Sequence, residues 1–251
     1  MMKKYILLLL LALSAFATTE ARNKTYVVVV GISNYRYPSI CPSLRGLTLK
    51  SARLAANFFD HNGRSDTYML LDGNATRDHI IRVMKSQFAK ADRDDIVMFI
   101  FSGHGYPGGL TTYGFDGTAR TAVTYEEVQN IMKGCRASRK IILTEACYSG
   151  GIKENKYNKK TNRNNSLYRK PTSTEVLVYT SSRANEVSYV PGFMECLVKG
   201  LSGSADSNRD RKVTAKELFV YVNHQVALST QNRQHPQMWG NFNDNMIISY
   251  Y

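Results

Sequence analysis

Two short segments carry side chains that could do chemistry. Ser102-Gly103-His104-Gly105 follows the apolar run Ile96 to Phe101, and Glu145-Ala146-Cys147-Tyr148-Ser149-Gly150 follows Lys140 to Thr144. Both runs read as strands, so an imidazole and a thiol leave the same edge of one sheet. In open α/β sheets, ligands bind beyond the carboxyl ends of the strands, where both residues fall. A thiol of ordinary pKa, about 8.5, is only a few per cent thiolate at neutral pH, so a nucleophilic cysteine needs a neighbour that favours its ionisation. Histidine, with a pKa of about 6.5, can take that proton and later hand it to a leaving amine. The pair therefore points to Cys147 as nucleophile, His104 as its base, and hydrolysis of an acyl bond. Taken singly, a strand-end cysteine is more often a small buried hydrophobe and a histidine in a turn more often structural. The joint pattern carries the reading. Gly103, Gly105, Gly150 and Gly151 are expected to leave room for a substrate backbone, and the amides of Gly105 and Cys147 to stabilise the oxyanion.

The elements that must position these residues alternate along the chain. Strands are expected at Thr25 to Ile32, Thr67 to Leu71, Asp95 to Phe101, Lys140 to Thr144, Val176 to Thr180 and Met246 to Tyr250. Helices fall between them. Leu44 to Phe59 carries Leu47, Ala52, Ala55 and Phe58 or Phe59 at helical spacing, and Thr76 to Phe88 carries Ile80, Ile81, Met84 and Phe88. Thr124-Tyr125-Glu126-Glu127 and Thr214-Ala215-Lys216-Glu217 are capping-box patterns that open helices to about Met132 and Val226. Such alternation predicts an α/β fold with a mostly parallel central sheet and helices on both faces.

The 251 residues suffice for one sizeable domain, expected over 24–251. Residues 1–17 read as a signal peptide: Lys3 and Lys4, an apolar run from Tyr5 to Leu13, then Ala15-Phe16-Ala17 as a cleavage signal. Export to a periplasmic or extracellular location follows. The rival reading, an N-terminal membrane anchor, is weakened because the apolar run falls short of about 18 residues. The net charge is +13, or +11 once Lys3 and Lys4 leave with the signal peptide. A basic balance admits contact with nucleic acid or an anionic envelope surface. No nucleic-acid partner is expected, because no basic stripe with interleaved aromatics occurs and much of the excess lies in Lys153 to Lys170. Residues 152–173, rich in Lys, Arg and Asn, read as an exposed basic loop. Of four cysteines, Cys41, Cys135, Cys147 and Cys196, three remain if Cys147 is the nucleophile, so no internal bridge is assigned. Cys135 and Cys196 are expected in helical stretches as small core residues. Asp206-Ser207-Asn208-Arg209-Asp210 with Glu217 has the oxygen spacing of a calcium loop, but Arg211 stands where the sharp turn needs Gly. A turn and a helix cap are the favoured reading. No metal or organic cofactor is needed for the expected chemistry, and calcium stays as a minor alternative.

The two segments resemble the caspase-like cysteine peptidases. Their signature has Gln-Ala-Cys before a Gly, with the histidine about 50 residues upstream; here His104 precedes Cys147 by 43 residues. The likeness runs from about Tyr26 to the C-terminus. It takes in Tyr26 to Tyr35 as the first strand and turn, Tyr68 to Gly105, Val176 to Ser182, Gly192 to Gly203, Ala205-Asp206 and Gln234-His235-Pro236. The segment around Cys147 is most similar to the bacterial, metacaspase-like branch, whose pattern is Asp-x-Cys-His-Ser-Gly.

The resemblance implies a caspase-like three-layer sandwich and endopeptidase activity on protein or peptide substrates. It implies that the acid two residues before the nucleophile, here Glu145, helps bind a basic P1 side chain. Ser181 and Ser182 would wall the primary pocket. Asp116, in Gly114-Phe115-Asp116-Gly117, falls where relatives often place a second acid, although a turn-forming Asp explains it equally. Arg or Lys at P1 is the expectation, because Tyr148 and not Arg directly follows Cys147 and no clear Ser-Trp-Arg equivalent follows Ser182. Relatives are often cut between nucleophile and next strand, which makes the 152–173 loop a possible processing site. Tyr148 in place of the usual His, and Lys50-Ser51-Ala52 where the branch commonly has Asn-Asp-Ala, keep a second reading open: an inactive caspase-like binding or regulatory module. The oligomeric state is not legible.

Overall fold

The computed structural model describes residues 23–61, 63–147, 174–183, 186, 188–189 and 192–251. The expected leader over 1–17 and the expected loop over 152–173 lie outside the described residues.

In chain order the first half comprises β1 (Thr25–Gly31), α1 (Leu47–His61), β2 (Ser65–Leu71), α2 (Arg77–Phe88), β3 (Ile96–Ser102), β4 (Gly105–Tyr106), β5 (Gly109–Leu110), β6 (Val123–Thr124) and α3 (Tyr125–Gly134). The second half comprises β7 (Arg139–Glu145), β8 (Glu175–Thr180), α4 (Gly192–Lys199), β9 (Lys212–Thr214), α5 (Ala215–Ser229), β10 (Gln237–Asn241) and β11 (Ile247–Tyr250).

The central sheet follows from strands that are apolar on both faces. β1 has four consecutive valines and is buried beyond its first residue, and β3 is buried throughout. Such strands are satisfied only inside a parallel sheet covered by helices on both sides. The sheet has six strands in the order β10-β8-β7-β3-β1-β2. Its neighbours pair in parallel from β2 to β8, and β10 closes the other edge antiparallel to β8. Alternate residues feed two cores. Val28, Val30, Phe99, Phe101 and Ile142 pack with α2 and α3 residues such as Ile80, Met84, Val128 and Met132. Val27, Val29, Met98, Ile100 and Leu143 pack with Ala52 and Phe59 of α1, Phe193 and Leu197 of α4, and Leu218 and Val222 of α5. Helix, sheet and helix thus form three layers, as expected.

Local chemistry sets the ends of the elements. Both capping boxes form, with Thr124 paired to Glu127 and Thr214 to Glu217. The first helix starts at Leu47, later than the expected Leu44, because Arg45 and Gly46 hold positive φ (52° and 76°), which breaks a right-handed helix. The end of the chain departs from expectation. The expected Met246–Tyr250 strand, observed as β11, lies outside the main sheet and pairs with β9. The sixth place goes to β10, which has no strand-like alternation. Its Gly240 has φ 135°, and a Cβ there would stand 1.9 Å from the Val176 carbonyl oxygen, so only glycine permits this pairing.

The calcium-like segment is built as a turn and a cap. Asp206 accepts the amides of Arg209 (2.7 Å) and Arg211 (2.9 Å) and the Tyr251 hydroxyl (2.8 Å), while Glu217 serves Thr214 and Ser207. Arg211 itself takes the left-handed conformation (φ 64°). All four cysteines are free thiols; Cys41 is buried, and Cys135, Cys147 and Cys196 are half-buried. Cys135 caps the end of α3, where its thiol donates to the Met132 carbonyl (3.2 Å), instead of lying within the helix. Among the described residues no helix is long and apolar enough to cross a membrane.

Candidate active site

β3 and β7 are adjacent and parallel, and their register pairs Ser102 with Glu145. His104 and Cys147 each stand two residues beyond that pair, so equal offsets deliver imidazole and thiol at the same sheet edge. Both are half-buried, between core and solvent. The Gly103 amide donates to the Glu145 carbonyl (3.2 Å), which carries the inter-strand bonding one step past the strands.

The glycines serve the protein's own chain. A Cβ on Gly105 would stand 2.1 Å from the Cys147 carbonyl oxygen and 3.3 Å from Ala146 Cβ, so the histidine segment lies directly on the Cys147 segment. A Cβ on Gly103 would stand 2.9 Å from both the Tyr35 hydroxyl and the Phe101 ring. The expected room for substrate is occupied at these two positions by neighbouring residues. Gly150 and Gly151 lie outside the described residues.

His104 is tied at three points. Its Nε2 lies 2.9 Å from the Pro42 carbonyl oxygen. A carbonyl can only accept, so Nε2 carries the proton and Nδ1 presents the lone pair. Its backbone N–H donates to the Tyr35 hydroxyl (2.8 Å), and its carbonyl accepts from the Thr111 amide (3.1 Å) and Oγ1 (2.7 Å). The His104–Thr111 bond makes that pair a hydrogen-bonded one at the base of the β4–β5 hairpin. By antiparallel alternation the next pair, Gly105–Leu110, is not bonded across the hairpin, and the Gly105 N–H points outward.

Glu145 is fully buried. Its carboxyl accepts from Ser102 Oγ (2.7 Å) and from the Met194 amide near the start of α4 (3.0 Å). Burial pushes it above the usual carboxylate value of 4.5, against the pull of these hydrogen bonds. In this conformation it is enclosed and touches protein donors alone. Ser181 and Ser182 are also fully buried. The Ser181 amide continues the pairing to the Thr144 carbonyl (2.8 Å), and both hydroxyls face the Ala146 carbonyl oxygen at 3.5 Å. Gln234 and Ser188 brace Ser181 through its carbonyl (2.7 Å) and hydroxyl (2.7 Å). Asp116 is exposed and takes the turn-forming alternative. Thr121 and Thr118 donate to its carboxylate and hold it at about 2.

Sequence reasoning missed the groups that orient His104. Pro42 contributes a backbone carbonyl, which no residue pattern reveals, and Thr111 sits in a loop without a motif. Tyr35 had a visible signal: a large aromatic in the turn that follows a buried strand and leads into the site.

A three-layer α/β sandwich that delivers cysteine and histidine from adjacent parallel strands defines the caspase-like class of fold. The caspase domain family matches residues 24–247, nearly the whole chain, and the chain belongs to that family. The family comprises cysteine-type peptidases, hydrolases that act on protein substrates. Among solved structures, the chain is similar to caspase-1 from Spodoptera frugiperda (TM-score 0.66, 15% identity, 91% of each chain covered). It is similar also to a structure described as pro-sf-caspase-1 (TM-score 0.64, 13% identity, 93% of this chain and 94% of that chain). At such identities the likeness speaks for the fold alone. No curated protein matches the sequence.

Proposed function

We propose that the protein is an exported cysteine endopeptidase with a Cys147–His104 dyad that cleaves proteins or peptides after Arg or Lys. Cys147 Sγ bonds to the scissile carbonyl carbon while its proton passes to His104 Nδ1. His104 then gives that proton to the leaving amine, and water releases the acyl group by the reverse use of the same base. The Gly105 and Cys147 amides hold the oxyanion. No cofactor is required by these steps.

The observation that carries the reading is the Ser102–Glu145 register, which sets His104 and Cys147 at equal offsets, with Gly105 lying on the Cys147 carbonyl. The Nε2 bond to Pro42 supports the role of base, since it leaves Nδ1 free to accept. The basic P1 preference is supported by an acid two residues before the nucleophile. Glu145 is enclosed, so a P1 cation must displace the Met194 amide to reach it, and the arriving charge then favours the ionised carboxylate. The leader and the basic loop support export and processing by their composition alone.

Peptides ending in Arg, Lys or Asp ahead of a reporter test the reading. Cleavage after Arg and Lys, abolished in Cys147→Ala and His104→Ala, is expected. Release after Asp alone would overturn the P1 assignment, and no release from any peptide would favour the binding-module alternative. Glu145→Gln should weaken Arg and Lys cleavage more than cleavage after neutral residues.

A further inference from the structure

Tyr35 sits in the turn after β1 and is almost fully buried, with 6% of its surface exposed. Its ring lies 5.2 Å from the His104 imidazole, tilted by 42°. Its hydroxyl is 2.8 Å from the His104 backbone nitrogen and 3.2 Å from Thr111 Oγ1. Counting protons orders these bonds. The His104 N–H can only donate, so the phenol oxygen accepts it. Thr111 has one hydroxyl proton, and its shortest contact is the His104 carbonyl at 2.7 Å, so that proton goes there. The Tyr35 proton is left to donate to Thr111 Oγ1. The result is a closed circuit in which the His104 N–H donates to Tyr35, the Tyr35 hydroxyl to Thr111 and the Thr111 hydroxyl to the His104 carbonyl, which also takes the Thr111 amide. The buried Cys41 thiol lies against the same Thr111 hydroxyl.

The circuit is anchored from outside the site. Asp72, at the end of β2, accepts from the Ser33 amide (2.7 Å) and from the Asn34 amide and side chain (both 3.0 Å), which fixes the turn that carries Tyr35. Gly103 leaves the hydroxyl its space. Burial pushes the phenol well above its usual range, so it stays protonated and transfers no proton.

We infer that Tyr35 is a positioning residue for the reaction: through Thr111 it locks the His104 backbone, and through its ring it sets the imidazole plane, so that Nε2 stays on Pro42 and Nδ1 keeps its lone pair. This inference rests on the proposed dyad. It places the rigidity of the base in the turn after β1, which contributes no atom to the chemistry.

Tyr35→Phe keeps the ring and removes only the hydroxyl. In the full chain it should lower kcat about tenfold with KM changed less than about twofold, since small displacements of a reacting group cost rate before binding. Thr111→Val should do the same. The double variant should lose little more than either single one, because the two hydroxyls act as one circuit. Nitrogen NMR of labelled histidine supplies a readout that needs no activity. Neutral His104 should be fixed as the Nε2–H tautomer in the wild type and should mix tautomers in Tyr35→Phe, while His61, His79, His224 and His235 are unmoved. Unchanged tautomer preference in Tyr35→Phe, or losses that simply multiply in the double variant, would overturn the inference. Turnover that survives Cys147→Ala would overturn the dyad instead, and the NMR result would still decide the role of Tyr35.

Discussion

Gly105→Ala is the sharpest steric probe of the site. The new methyl would stand 2.1 Å from the Cys147 carbonyl oxygen. Unstrained contacts need roughly 3.2 Å or more, so the histidine hairpin and the nucleophile segment must part by about 1 Å. Misplacing reacting groups by about 1 Å costs on the order of 10²-fold in rate. Forcing a methyl into packed surroundings costs about 1–3 kcal/mol of stability, which a folded domain of this size can survive. The assay is kcat/KM on the preferred basic peptide, alongside thermal and urea unfolding. Gly134→Ala is the matched control, because a Cβ there meets nothing within 4 Å; it should leave activity unchanged. A Gly105→Ala enzyme with wild-type kcat/KM would refute the close packing of the two segments, and an equal loss in Gly134→Ala would refute its local origin.

Glu145→Gln should show a signed pH effect on stability. Burial raises the Glu145 carboxyl above 4.5, so the folded state holds its proton to higher pH than the unfolded chain, and stability from this group falls as pH rises from 4.5 through the raised value. Gln cannot ionise, so urea unfolding should show the variant gaining on the wild type over that window, at up to about 1.4 kcal/mol per pH unit. A pH-independent difference would contradict the direction. Lys140 is buried and donates to the Met132 (2.6 Å) and Cys135 (3.0 Å) carbonyls at the end of α3; Lys140→Met should cost about 1–3 kcal/mol in the same measurement. Thr214→Ala should cost about 1 kcal/mol through loss of the capping box. Peptidase activity should be the same in EDTA as in millimolar calcium, because Asp206 and Glu217 are engaged as a turn and a cap.

Much of the fold was legible because buried parallel strands announce themselves. The valines of β1 and the unbroken run of β3 leave no other way to hide their side chains, and the Thr–Glu spacing that opens α3 and α5 encodes its own hydrogen bonds. β10 was not legible, since an edge strand pairs through backbone alone and here needs Gly240 against Val176. The His104 and Cys147 segments stood out by residue type. Their surroundings did not: the Pro42 carbonyl has no sequence signature, and the closure of Ser102 and Met194 on Glu145 depends on tertiary packing. Glycine at 103 and 105 stands out for the room it could leave a substrate backbone, but that the space is filled by Tyr35 and Cys147 emerges only in three dimensions.

Alkylation of Cys147 by iodoacetamide, followed across pH in the wild type and in His104→Ala, tests most directly whether thiol and imidazole act together. The wild-type thiol should react at pH 6 to 7, with labelling at Cys147 matching loss of activity. In His104→Ala the reaction should be slower at those pH values and speed up only in alkali. Identical profiles in the two proteins, or a Cys147 that resists the reagent while the fold is intact, would contradict the dyad.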